Sequence, residues 1–161
     1  MDAIGPIARA LRSSQGDSRR GDPITPPDLR KIFPFEPAAT SARLGWVGLE
    51  AAHFRETPAF ELNDAVCTHH HVTLLARPPE ELDVRFAEVT RHIPPSAGSI
   101  ICVPAGSPVR TRSSGHKDEL HIFLEPGVVE RVAAEAFEFD PARVSIPRPT
   151  ACNTLNSGPR C

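Results

Sequence analysis

The sequence predicts a mostly β domain: a small barrel with one α-helix after it. Three observations carry the prediction. In Ala97 to Val109, AGSIICVPAGSPV, the apolar run Ile100 to Val103 lies between Gly98 and Pro104, and Ala105-Gly106 turns the chain into the next apolar piece. Glycine takes positive φ at little steric cost and proline offers no ladder donor. The run therefore reads as a buried strand that stops abruptly and turns a corner, as small barrels require. The chain has 161 residues with 18 prolines and 10 glycines, which favours many turns and few long helices in a single domain. After Pro126-Gly127 the period changes from strand to helix. Val128, Val129, Val132, Ala133, Ala136 and Phe137 recur at helical spacing, with Glu130, Arg131, Glu135 and Glu138 on the other face.

Taken in order, residues 1–40 read as a flexible N-terminal leader or arm. Ser13 to Pro27 is too polar and proline-rich to offset the entropy of ordering it. Leu29, Ile32, Phe33 and Phe35 break that pattern and give the leader an apolar end to pack on the barrel. Residues 41–149 carry the barrel. A strand is expected from Trp46 towards Phe54, a short one at Phe60 to Leu62, and a turn at Asn63-Asp64. A long β-branched strand follows from Val66 to Ala76. Leu82, Val84 and Phe86 alternate with Asp83, Arg85 and Ala87, giving a strand with one wet face. Beyond the corner come Val109 to Ser113 and Leu120 to Leu124, then the helix at about 127–138, opened by Pro126 where a first turn tolerates proline. Val144 to Ile146 is a candidate returning strand. Residues 150–161 read as a disordered, patternless tail.

Charge and cysteines narrow the class. A net charge of −2 gives no long-range attraction to nucleic acid, and no basic amphipathic stretch marks a membrane surface. Cys67, Cys102, Cys152 and Cys161 show no CxxC spacing, which fits reduced thiols and a cytoplasmic protein. No secretory h-region and no membrane-spanning run is present.

The densest chemistry is Thr68-His69-His70-His71. Alternate strand residues share a face, so His69, His71 and Thr73 point one way and His70 the other. Imidazoles so placed suit transition metals, but two neutral histidines are short of the three or more protein ligands that a catalytic metal keeps. The other reading has them hydrogen-bonding a ligand, water or backbone. Trp46 reads either as core or as the aromatic wall of a pocket. Arg110 and Arg112 read either as a charged edge or as recognition of an anion.

Gly98, Pro104 and Gly106 match the first half of the second cupin motif, with Val109 where that family has a metal-binding histidine. The wording GSIxxxPAGxP resembles the effector-binding half of AraC-type transcription regulators over roughly Ser41 to Pro149. The resemblance implies a cupin-like (jelly-roll) β-barrel. His69 and His71 would open the first cupin motif, but Leu75 or Ala76 stands where its glutamate would be and Asn63 where its leading glycine would be. It implies a non-catalytic effector-binding and dimerisation domain without metal or other cofactor. The effector would meet His69, His71, Thr73, Val109 and Thr111, with Trp46 and His121 as further contacts. Val128, Val132 and Ala136 would make a homodimer interface. DNA would be read only through a helix-turn-helix half, which is not seen here. Two alternatives stand beside it: a metal-dependent cupin enzyme, either a dioxygenase or an isomerase, and an interaction module that heterodimerises with a full-length regulator.

Overall fold

A computed structural model describes residues 23–26, 33, 35–86, 89–92, 94–137, 140, 143–144, 146 and 151–153. Residues 1–22 of the expected leader and 154–161 of the expected tail lie outside them. The strands in chain order are β1 (Ala39–Thr40), β2 (Leu49–Thr57), β3 (Phe60–Val66), β4 (His70–Arg77), β5 (Glu81–Phe86), β6 (Val89–His92), β7 (Ser99–Val103), β8 (Pro108–Ser114) and β9 (Lys117–Leu124). The helix α1 (Pro126–Phe137) and a final strand β10 (Ala151–Asn153) follow. The strands form two antiparallel sheets, ordered β1-β2-β9-β4-β7-β10 and β3-β8-β5-β6. This is the mostly β, jelly-roll-like architecture with a following helix that the sequence predicts.

The inner faces of the two sheets meet in a core of Leu62, Ala65, Leu75, Leu82, Val84, Ile101, Val103 and Val109. The corner after β7 is built as its residues dictate. Gly98 and Gly106 have φ of 80° and 74°, where a side chain would be strained. The Gly98 N–H donates to the Leu75 carbonyl at 2.8 Å, and the Gly106 N–H to the Cys67 carbonyl at 2.8 Å. The Ala105 N–H donates to His70 Nδ1 at 3.0 Å. The corner is thereby tied to both ends of β4, the strand that carries the histidines.

Several elements differ from the sequence reading. The expected strand Val66 to Ala76 is divided, because Thr68 and His69 bend between β3 and β4. The Asn63-Asp64 turn is a bulge inside β3: the register with β8 shifts between Leu62 and Ala65, and Asp64 takes φ of 47°. The strand expected from Trp46 starts only at Leu49, after a turn at Ala42 to Gly45. In the expected tail, Ala151–Asn153 pairs with β7. Val144 and Ile146 lie outside any strand.

Part of the expected flexible leader is built into the fold: β1 pairs with β2, Phe35 packs on Phe60, and Ile24 and Phe33 add further contacts. Ile24 forms a parallel bridge with Cys67, its N–H donating to the Val66 carbonyl at 2.7 Å. The Phe33 ring packs against Phe54, Phe60 and His121, with centroids 5.1–5.3 Å apart. Among the described residues no helix is long and apolar enough to cross a membrane.

Candidate ligand-binding site

The site is a cavity between the sheets of about 50 Å³. That is roughly a third of the cavity that admits benzene in an engineered protein core, so it suits a few waters or a very compact molecule. One wall is apolar: Leu62, Leu82, Val84, Ile101, Val103 and Val109, with Phe33 and Phe60 at the side. The opposite wall comes from β4 and β9 and is polar.

That polar wall follows from the register. Thr73 faces His121 across the β4–β9 ladder, so inward residues of the two strands stand side by side. On β9 the alternation is complete: Lys117, Glu119, His121 and Phe123 are buried, while Asp118, Leu120, Ile122 and Leu124 are half-buried on the outer face. The result is a continuous chain of polar contacts. Lys117 Nζ donates to Ser113 Oγ at 3.0 Å and lies 3.6 Å from Glu119 Oε2. His121 Nε2 is 3.4 Å from the same Glu119 oxygen. His121 Nδ1 and His71 Nε2 share a hydrogen bond of 2.8 Å, and Thr73 Oγ1 lies 3.2 Å from His71 Nε2. An ionised carboxylate only accepts, so His121 Nε2 carries a hydrogen. Which of His121 Nδ1 and His71 Nε2 donates in the bond between them depends on the tautomers.

Burial sets the charges. Lys117 and His121 are only 3% and 4% exposed. Part of the His71 residue reaches the surface, but its ring packs against both His121 and Phe123, at centroid distances of 5.0 and 4.6 Å. That burial, together with the neighbouring His121, holds the His71 proton affinity well below the usual histidine range. Burial alone would raise the Glu119 carboxyl. The hydrogen bond and charge of His121, with the charge of Lys117, outweigh it and keep Glu119 below its ordinary value.

The structure brings together His71, Thr73, Val109, Thr111 and His121 of the residues singled out in the sequence: all line the cavity. It does not bring His69 or Trp46 there. His69 lies in the bend before β4, where its Nδ1 shares a 2.8 Å hydrogen bond with Thr68 Oγ1, so the strand alternation that would aim it inward has not begun. Trp46 lies in the stretch before β2 and is 52% exposed. Arg110 points away from the cavity and pairs with Asp64 at 2.8 Å. On α1, Ala133 is buried, Val128 is half-buried, and Val132 and Ala136 are exposed. Sequence reasoning missed Lys117, Glu119 and Phe33. The signal for the first two was their spacing: both are an even number of residues from His121, hence on its face of one strand.

A cupin-like barrel raises the question of a metal, and the donor set does not fit one. The imidazole nitrogens of His71 and His121 are directed at each other, and the second nitrogen of His121 at Glu119, rather than at a common point. Among the described residues no group of three or more histidine, cysteine, aspartate or glutamate side chains is placed to hold a metal ion.

Fold and site together define the class as a two-sheet β-barrel domain with an amphipathic interior. No protein-family model and no curated protein matches the sequence. Among solved structures, the chain is similar to a cupin-superfamily protein from Desulfitobacterium hafniense, at 13% identity and a TM-score of 0.44. The match covers 60% of this chain and 86% of that one. It is also similar to a conserved-barrel cupin protein from Salinispora arenicola, at 12% identity and a TM-score of 0.41, with coverage of 55% and 72%. Oxalate decarboxylase from Bacillus subtilis matches at 12% identity and a TM-score of 0.44, over 65% of this chain and 32% of that one.

Proposed function

We propose that this chain is a non-catalytic small-molecule-binding domain resembling the effector-binding half of an AraC-type regulator. One observation carries the reading: a cavity whose aliphatic wall faces a buried, ionisable polar wall. A purely structural core gains little from five inward polar side chains on two adjacent strands, since burying polar groups is costly. The effector would sit against His71, Thr73, Thr111 and His121 and under Phe33. Its binding would shift the population of dimer arrangements. Dimerisation would use α1, whose Val132 and Phe137 are 47% and 64% exposed, an unfavourable placement for large apolar side chains in an isolated domain.

A thermal-shift screen of the full chain against compact organic molecules tests the reading. A ligand at about 100 times its Kd should raise Tm by about 5 °C. Val109→Phe fills the cavity and should abolish that rise. A hit that survives Val109→Phe unchanged binds elsewhere and sinks the proposal. For the dimer, Val132→Glu combined with Phe137→Glu should shift sedimentation to the monomer without loss of the β signal in circular dichroism. A wild-type chain that sediments as a monomer at all concentrations counts against the dimer.

A further inference from the structure

We infer that the molecule this cavity takes is a compact monocarboxylate, held with its charge on Lys117 and taken up together with a proton. The inference rests on the reading of the cavity as a ligand site.

Lys117 is the group with donor capacity to spare. Its ammonium has three donors and is buried to within 3%. Among the described residues it has one hydrogen bond, to Ser113 Oγ at 3.0 Å, and a loose ion pair with Glu119 at 3.6 Å. It also sits 5.8 Å from the Phe60 ring centroid. Glu119, by contrast, is already met by both Lys117 and His121 at its Oε2. The cavity therefore offers donors to an anion more readily than acceptors to a cation. The apolar wall opposite requires the rest of the ligand to be hydrocarbon, and the volume of about 50 Å³ keeps that part short, as in acetate or propanoate.

The proton follows from charge balance. The Lys117–Glu119 pair is neutral overall, so a carboxylate beside it leaves an uncompensated negative charge in a water-poor space. The titratable groups lining the cavity are His71 from β4 and Lys117, Glu119 and His121 from β9. The walls from β3, β5, β7 and β8 supply only apolar and hydroxyl side chains. His71, buried and hydrogen-bonded to His121, is the base in that set. An anion at Lys117 removes the reason for it to stay neutral, and one solvent proton then enters with the ligand.

Titration calorimetry on the full chain tests this with acetate, propanoate and butanoate, their amides, and ethylamine and propylamine. The carboxylates should bind about tenfold or more tighter than the matched amides, and Lys117→Gln should remove the difference. Measured in PIPES and in Tris, whose ionisation heats differ, binding should register proton uptake and should tighten from about pH 8 to about pH 6. His71→Gln should lose the proton uptake and the pH dependence whatever carboxylate affinity it keeps, and it decides the matter should Lys117→Gln fail to fold. Amides or amines that bind as tightly as carboxylates, or carboxylate binding without proton uptake, overturn the inference and leave the cavity reading standing. If only larger molecules shift Tm, the compact carboxylate is likewise overturned. If no molecule of any class binds, the cavity reading fails first.

Discussion

Glu119→Ala is expected to destabilise the protein by about 3 kcal/mol or more, the usual cost of leaving one member of a buried ion pair alone. Glu119 is 8% exposed, and its carboxylate is the ion-pair partner of Lys117 and the acceptor for His121 Nε2. Without it the Lys117 ammonium has only Ser113 Oγ within hydrogen-bond reach among the described residues. A buried ammonium left without its carboxylate is costly, and stability falls. The pair itself is a different matter. At 3.6 Å its geometry is loose, so its attraction barely offsets the desolvation of both ions. Replacing both, Lys117→Met with Glu119→Gln, keeps an acceptor for His121 and should return stability to within about 1 kcal/mol of wild type. Urea unfolding of the three proteins reads this directly. A double variant no more stable than Glu119→Ala would show that charge isolation is not the cause.

The second large effect is acid sensitivity. The folded state holds His71 well below the ordinary value of 6.5, through burial and the adjacent His121. Above that value both folded and unfolded chains leave His71 neutral, and the full stability is present. As pH falls through it, the unfolded chain takes up a proton that the folded chain refuses. Stability then drops by about 1.4 kcal/mol for each further pH unit until the folded state protonates as well. His70 adds to the same limb: burial lowers it, against an opposing contribution from Glu130. Glu119 makes a separate limb. Its lowered folded value means that its contribution is present above 4.5 and is lost as pH falls below that. Urea midpoints measured from about pH 8 to about pH 4 should show the first limb shrink in His71→Gln and the second remain. An unchanged slope between pH values of about 6.5 and 4.5 would rule out His71 as its main source.

The first prediction arises from β9 and the second mainly from its neighbour β4; β9 is the strand where sequence reading was weakest. Its segment Lys117–Leu124, KDELHIFL, alternates cleanly, and alternation says that it is a strand with two unlike faces. It does not say which face is inside. Leu120, Ile122 and Leu124 look like the core set, and they form the outer, half-buried face. The ladder with β4 puts Thr73 opposite His121 and so turns the charged set inward; a slip of one residue would reverse every side chain. His121 was legible as a candidate because histidine is chemically conspicuous. Glu119 and Lys117 were not, because charged residues beside a turn ordinarily face water.

What the sequence determined by itself was local: the positive-φ glycines and proline of the corner at Gly98 to Gly106, the strand periods, and the helix that Pro126 opens, each set by the conformational limits of a few adjacent residues. What only the tertiary structure decided was the site. The facing of β9, the bend that keeps His69 out, and the arrival of Phe33 from the leader all depend on pairings between segments far apart in the chain, and no short window of sequence contains the energy of those contacts.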